Sequence, residues 1–189
     1  MTAPNILLIM ADQRAPHFTS AYGHKFVKKP HLDALADRGM RFDAGYCNSL
    51  LCAPSRFSFI SGQMVSKIGT YDNASEFPAL IPTFAHYLKL LNYSTCLSGK
   101  MYFFGLDQMH GSESLVTSDI YPSDFAWIPN WEQTDKRIDK WYHNMQTVKE
   151  SGMTIASFQI DYDDEVEFAA KRKLCDYARD GTKPWCMVA

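Results

Sequence analysis

Cys47-Asn48-Ser49-Leu50-Leu51-Cys52-Ala53-Pro54-Ser55-Arg56-Phe57-Ser58-Phe59-Ile60-Ser61-Gly62-Gln63 is the stretch around which the chain is organised. Pro54 suits the first position of a helix, where its missing N–H costs nothing, and Gly62 suits the residue just past the end. Cys52 therefore falls at a helix N-terminus. Unpaired N–H groups and the positive end of the macrodipole converge at such a point, so a thiolate, an oxyanion or a bound sulfate or phosphate would be stabilised there. The alternative is that Cys52 is a small buried apolar residue, the ordinary fate of a cysteine outside a disulfide.

Working outward, the pattern is that of an α/β protein with a largely parallel sheet flanked by helices. Ile6-Leu7-Leu8-Ile9-Met10 is a continuous apolar run, as expected of a strand buried on both faces. Asp12 and Gln13 follow at its carboxyl end, the edge where open α/β sheets bind ligands. A carboxylate there is either a hard oxygen ligand for a divalent cation or a cap residue. A helix is expected over 30–38, with Leu32, Leu35 and Ala36 inward and Gly39 as the stop. A second is expected over 82–91, with Phe84, Tyr87, Leu88 and Leu91 on one stripe and Asn92 in the turn. Tyr93-Ser94-Thr95-Cys96-Leu97 reads as the next strand, and Ser98-Gly99-Lys100 follows it. A lysine in that place is usually a solvated surface residue.

From 112 to 152 the sequence is rich in aromatics and turn residues without a clean period, as in a long irregular excursion over the active-site edge. Trp127 and the Trp141-Tyr142-His143 cluster in it suit either a satellite core or an aromatic cage for a cation. A helix is expected over 161–179, with Asp163, Asp164 and Glu165 in the first turn and Arg179 in the last. Val166, Ala169, Ala170, Leu174 and Tyr177 form its inner stripe. Trp185-Cys186-Met187-Val188-Ala189 reads as a further buried strand, and a sheet continuing beyond it is expected.

Composition bounds the function. The chain has 189 residues, 46% of them hydrophobic, with a formal net charge of −2, so it has neither the basic footprint of a nucleic-acid binder nor that of a protein held on an anionic membrane. Five cysteines without Cys-x-x-Cys or zinc-finger spacing fit a reducing, cytoplasmic compartment. The apolar run at 6–10 is too short, and too poor in preceding basic residues, for a signal segment.

Cys52-Ala53-Pro54-Ser55-Arg56 resembles the Cys-x-Pro-Ser-Arg signature of the sulfatase family. With Pro4-Asn5-Ile6-Leu7-Leu8-Ile9-Met10-Ala11-Asp12-Gln13, Tyr71-Asp72-Asn73-Ala74, Ser98-Gly99-Lys100-Met101 and Trp141-Tyr142-His143-Asn144-Met145, the likeness is to the choline sulfatases within it. It runs from Ala3 to Val188. The resemblance implies an alkaline phosphatase-like α/β core and hydrolysis of a sulfate monoester, with choline sulfate as the substrate. It implies that Cys52 is oxidised to formylglycine by a formylglycine-generating enzyme, and that Arg56 and Lys100 hold the modified residue and the sulfate. A divalent metal, calcium or else magnesium or manganese, would be held by Asp12, residue 52 as formylglycine, and Gln13. Trp127, His143 and Asn73 would line the choline pocket. The full-length protein would be a homo-oligomer acting on a small molecule, with no nucleic-acid or membrane partner.

Residue 102 is tyrosine where the family has histidine, and Leu50 and Leu106 stand where it has proline. The remaining metal ligands, a second lysine, a histidine and the general acid are expected beyond residue 189. Residues 1–189 thus read as the N-terminal portion of a sulfatase catalytic domain, expected to be inactive alone. Two other readings are a phosphonate or phosphate diester hydrolase of the same superfamily and a non-catalytic remnant that binds a cation or anion.

Overall fold

The computed structural model describes residues 3–120, 132, 133, 135 and 146–189. In chain order the elements are β1 (Ile6–Leu8), 3-10 turns at Pro16–Phe18 and Ser20–Tyr22, α1 (Pro30–Arg38), α2 (Cys52–Ser61), α3 (Val65–Ile68), α4 (Phe84–Leu90), β2 (Ser94–Leu97), β3 (Ser114–Leu115), α5 (Gln146–Lys149), α6 (Phe158–Asp180) and β4 (Trp185–Val188). The chain divides into two compact units, Met10–Cys47 and the remainder.

In the larger unit the four strands are all parallel and lie in the order β1-β4-β2-β3. β4 enters last in sequence, between β1 and β2, pairing Cys186 with Ile6 on one side and with Thr95 on the other. Parallel neighbours need crossovers, and helices supply them. α6 packs over the sheet through Ala170 against Cys96 and Met187, with Leu174, Tyr177 and Trp185 around them. Tyr177 and Trp185 stack with centroids 5.4 Å apart. Alternation along β2 turns Thr95 and Leu97 to the opposite side from Cys96, and both are buried. Beside α2, the rings of Phe57 and Phe77 stack at 4.9 Å, Phe103 lies 6.0 Å from each, and His110 sits 4.3 Å from Phe103. Burying a ring of this size contributes about 1.5–3 kcal/mol, so this cluster is a principal source of cohesion around the signature helix.

α6 begins one turn earlier than its charge pattern suggests. Ser157 caps it, its hydroxyl accepting from the Ile160 N–H at 3.1 Å, and Gly181 closes it with φ 57. The inner stripe of Val166, Ala169, Ala170, Leu174 and Tyr177 is at least half-buried, and Tyr162 joins it. Ser157→Ala should cost about 1 kcal/mol of stability, and Ser157→Gly only a few tenths, because glycine keeps the backbone free to cap. Urea denaturation of the two variants checks this.

Three expectations change. β1 is three residues long and pairs on one side only among the described residues, and Leu7 is 43% and Ile9, just past it, 77% exposed where burial on both faces was expected. The stripe on α4 is narrower than its periodicity implies. Ala85 is its buried residue, Phe84 and Leu88 are half-buried, and Tyr87 and Leu91 are exposed. In the smaller unit, Leu32 and Leu35 of α1 are exposed; with Ala36, Tyr22, Met40 and Phe42 they line an open cavity of about 560 Å³ rather than a packed core.

Candidate active site

α2 begins at Cys52 itself, with Leu51 as the capping residue and Gly62, at φ 67, as the stop. Pro54 is therefore the third helical residue and not the first. The position is still free of cost, because an N–H there would have no intrahelical partner. Cys52, half-buried, occupies the first turn as its spacing implies. The cluster of unpaired N–H groups is smaller than expected. Ser55 N–H reaches Leu51 O at 3.0 Å, and Ala53 N–H donates to Asn73 Oδ1 at 3.0 Å. Asn73, buried in a loop 20 residues away, thus pins the start of the helix that presents Cys52.

Four residues on, one helical turn, Arg56 is 7% exposed. Its Nη1 donates to the carbonyl oxygen of Lys100 and lies 3.9 Å from Met101 Sδ. This contact joins the signature helix to the turn that follows β2. In that turn Gly99 has φ 94, which favours glycine, and a Cβ there would come 3.3 Å from Val166 Cγ1, a tight contact that the valine would have to relieve. Gly99 N–H donates to Thr117 Oγ1 at 2.6 Å, tying the ends of the adjacent strands β2 and β3.

Lys100 is half-buried, and its Nζ lies 4.7 Å from the centroid of the Tyr102 ring. A cation over an aromatic face gains about 0.5–2 kcal/mol, according to how far it is desolvated. Tyr102 is 1% exposed and meets Phe104 edge-on at 5.6 Å. Where the resembling family has histidine, this chain therefore has a buried ring whose face meets the lysine. Tyr102 adopts φ 62, uncommon for a residue with a side chain. Asp119 compensates. Its Oδ2 accepts from Met101 N–H at 2.8 Å and Tyr102 N–H at 2.6 Å, while Oδ1 is buried without a hydrogen bond among the described residues. Nearby, the Tyr162 hydroxyl donates to Ser118 O at 2.7 Å. Burial first, and then the negative charge of Asp119, push the Tyr162 phenol up to about 12.

The larger unit thus holds Cys52, Arg56, Lys100 and Asn73, with Arg56 tied to the Lys100 turn and Asn73 to the start of α2. Asp12 and Gln13 are exposed residues of the Met10–Cys47 unit. Trp127 and His143 lie outside the described residues. Among the described residues no group of three or more His, Cys, Asp or Glu side chains is placed to hold a metal ion. No helix among them is long and apolar enough to cross a membrane. Buried Cys96 and Cys186 lie in adjacent strands without a disulfide, and burial pushes both thiols up. Sequence reasoning missed Asp119 and Thr117, and also the capping use of Asn73; these are contacts between distant loops, for which the sequence carries no local signal.

The family model described as Sulfatase matches residues 4–185. The choline-sulfatase of Rhizobium meliloti is 46% identical over 189 residues, covering 98% of this chain and 37% of that protein. The N-acetylglucosamine-6-O-sulfatase of Bacteroides thetaiotaomicron is 28% identical, covering 98% and 29%. Among solved structures, a protein in complex with its substrate D-glucosamine-2-N,6-O-disulfate superposes with a TM-score of 0.66 at 26% identity, covering 98% of this chain and 33% of that one. The phosphonate monoester hydrolase of Agrobacterium radiobacter shares the fold, with a TM-score of 0.64 at 20% identity over 98% of this chain and 40% of that one. The chain thus spans about a third of the length of the curated relatives named here.

Proposed function

The chain belongs to the sulfatase family, and from that membership we propose that residues 1–189 are the N-terminal portion of a catalytic domain that hydrolyses choline sulfate to choline and sulfate. Its parallel strands and flanking helices are the alkaline phosphatase-like α/β fold of that family. The observation that carries the proposal is the hydrogen bond from Arg56 to the Lys100 carbonyl, which brings the signature helix and the lysine turn to one place.

Cys52 suits conversion to formylglycine: it is half-buried at the first position of α2 and immediately precedes Ala53-Pro54-Ser55-Arg56. In that form residue 52 would supply a hydrated aldehyde as the oxygen nucleophile toward sulfur. The rest is done by the chain's own groups. The macrodipole of α2 favours negative charge at residue 52, and Asn73 fixes the direction of the helix start. Arg56 places its positive charge one turn from residue 52 while anchoring the Lys100 turn. Lys100, steadied by the Tyr102 ring, offers an ammonium to the sulfate oxygens, whose charge grows as the ester bond breaks. Asp12, with Gln13, would contribute to a divalent cation, calcium being the metal proposed. A hard cation needs about six oxygens, more than these two residues bring. The compartment proposed is the cytoplasm.

Choline specificity is assigned to Trp127 and His143, and the test is differential. Trp127→Ala should raise KM for choline sulfate about 5-fold, ~1 kcal/mol of cation–π attraction, and leave a neutral alkyl sulfate nearly unaffected. Steady-state kinetics on both esters decides it. Equal losses would give Trp127 a packing role, and a wild-type preference for phosphonate or aryl sulfate substrates would overturn the choline assignment.

A further inference from the structure

Asp119 follows β3 by four residues, and Lys100 follows β2 by three, so both emerge at the carboxyl edge of neighbouring parallel strands. The peptide group between Lys100 and Met101 is gripped from both sides: its carbonyl accepts from Arg56 Nη1, and its N–H donates to Asp119 Oδ2. The same oxygen accepts from Tyr102 N–H. Two successive amides converging on one carboxylate oxygen form an anion nest, occupied by a side chain and not by a ligand. Tyr102, whose N–H closes the nest, holds φ 62, a conformation costing an ordinary residue on the order of 1–2 kcal/mol. Two hydrogen bonds that satisfy successive backbone amides can offset that cost. In this conformation the Tyr102 ring lies under the Lys100 ammonium.

We propose that Asp119 is a positioning residue for Lys100: by accepting from the Met101 and Tyr102 amides it locks the turn in the one conformation that aims the ammonium at the substrate anion. This rests on the reading of Lys100 as a sulfate ligand. The carboxylate acts through the backbone and touches no reacting atom. What matters is the acceptor oxygen, which asparagine also has, and not the negative charge.

The test compares Asp119→Ala and Asp119→Asn in the full-length protein. Hydrogen exchange read by mass spectrometry over residues 99–104 should quicken at least about 10-fold in Asp119→Ala and stay within about 3-fold of wild type in Asp119→Asn, because exchange reports local opening. Binding of inorganic sulfate, measured by calorimetry, should weaken about 10-fold or more in the alanine variant and recover in the asparagine variant. Unchanged exchange and sulfate affinity in Asp119→Ala would overturn the proposal. So would an asparagine variant as impaired as the alanine one, since charge would then be what is needed. Exchange is read whether or not any ester is turned over, so a wild-type protein inactive on sulfate esters would count against the proposed function while leaving this test intact. If Asp119→Ala fails to fold, Asp119→Asn still decides: wild-type exchange and affinity support the role, and loss of both refutes it.

Discussion

Cys52→Ala is expected to abolish sulfate ester hydrolysis, lowering kcat/KM by at least about 10⁴-fold, or ~5 kcal/mol of transition-state stabilisation. The hydroxyl of Ser55, in the same turn, lacks the second hydroxyl through which a hydrated aldehyde expels sulfate, so it is not expected to take over turnover. Folding should hardly change. Cys52 is the first residue of α2 and half-buried, and alanine is the most favourable helix former, so stability should stay within about 1 kcal/mol. Cys96→Ala is the contrasting control: that thiol is buried in β2 against Met187 and Ala170, so truncation should cost stability and spare the chemistry. Turnover assays, with mass spectrometry of the wild-type peptide spanning residue 52 for an aldehyde in place of the thiol, make the comparison. A Cys52→Ala variant that still turns over ester above the uncatalysed rate, or a wild-type protein active with an intact thiol, would remove residue 52 from the nucleophile's role.

What was legible in the sequence was local. The bounds of α1 follow from Pro30 and Gly39, and the end of α2 follows from Gly62, because punctuation by proline and glycine acts within a turn of itself. The parallel sheet was legible for a similar reason, since apolar runs such as Trp185–Val188 have few other places to go. What an apolar run does not carry is its neighbours. Ile6-Leu7-Leu8-Ile9-Met10 reads as doubly buried, and only the strand order reveals that three of those residues pair, and on one side among the described residues. β3 is two residues long, too short for alternation to be visible, yet it brings Thr117 and Asp119 beside the Lys100 turn. The site divides in the same way. Cys52, Arg56 and Lys100 are readable from their motifs, whereas the groups that hold them are supplied from 17 to 20 residues away by Asp119, Thr117 and Asn73. Tyr102 lies between the two cases. Its identity departs from the family pattern at once, but its function as a ring under the lysine depends on a positive φ that the sequence does not announce.

Arg56→Ala should be the most damaging of the supporting substitutions, because it removes two functions at once. The guanidinium is almost wholly buried, and one of its N–H groups is committed to the Lys100 carbonyl 44 residues away. Truncation leaves that acceptor without this donor and opens space beside Met101, which together should cost about 2–4 kcal/mol of stability. The turn it releases carries Lys100, so anion binding weakens along with the direct loss of positive charge near residue 52. A further fall of about 10²–10³-fold in kcat is expected, the size usual for removing one preorganised donor from a developing negative charge. Arg56→Lys separates the two functions. Lysine restores a charge but presents a compact ammonium on a flexible stem in place of a planar fork, so it cannot reproduce both the bond to Lys100 O and the charge toward residue 52. Stability should recover in part while turnover stays low. Chemical denaturation and steady-state kinetics on the same preparations distinguish the cases. Full recovery of kcat in Arg56→Lys would mean that a positive charge alone suffices, and unchanged stability in Arg56→Ala would mean that the bond to the Lys100 turn does not anchor it.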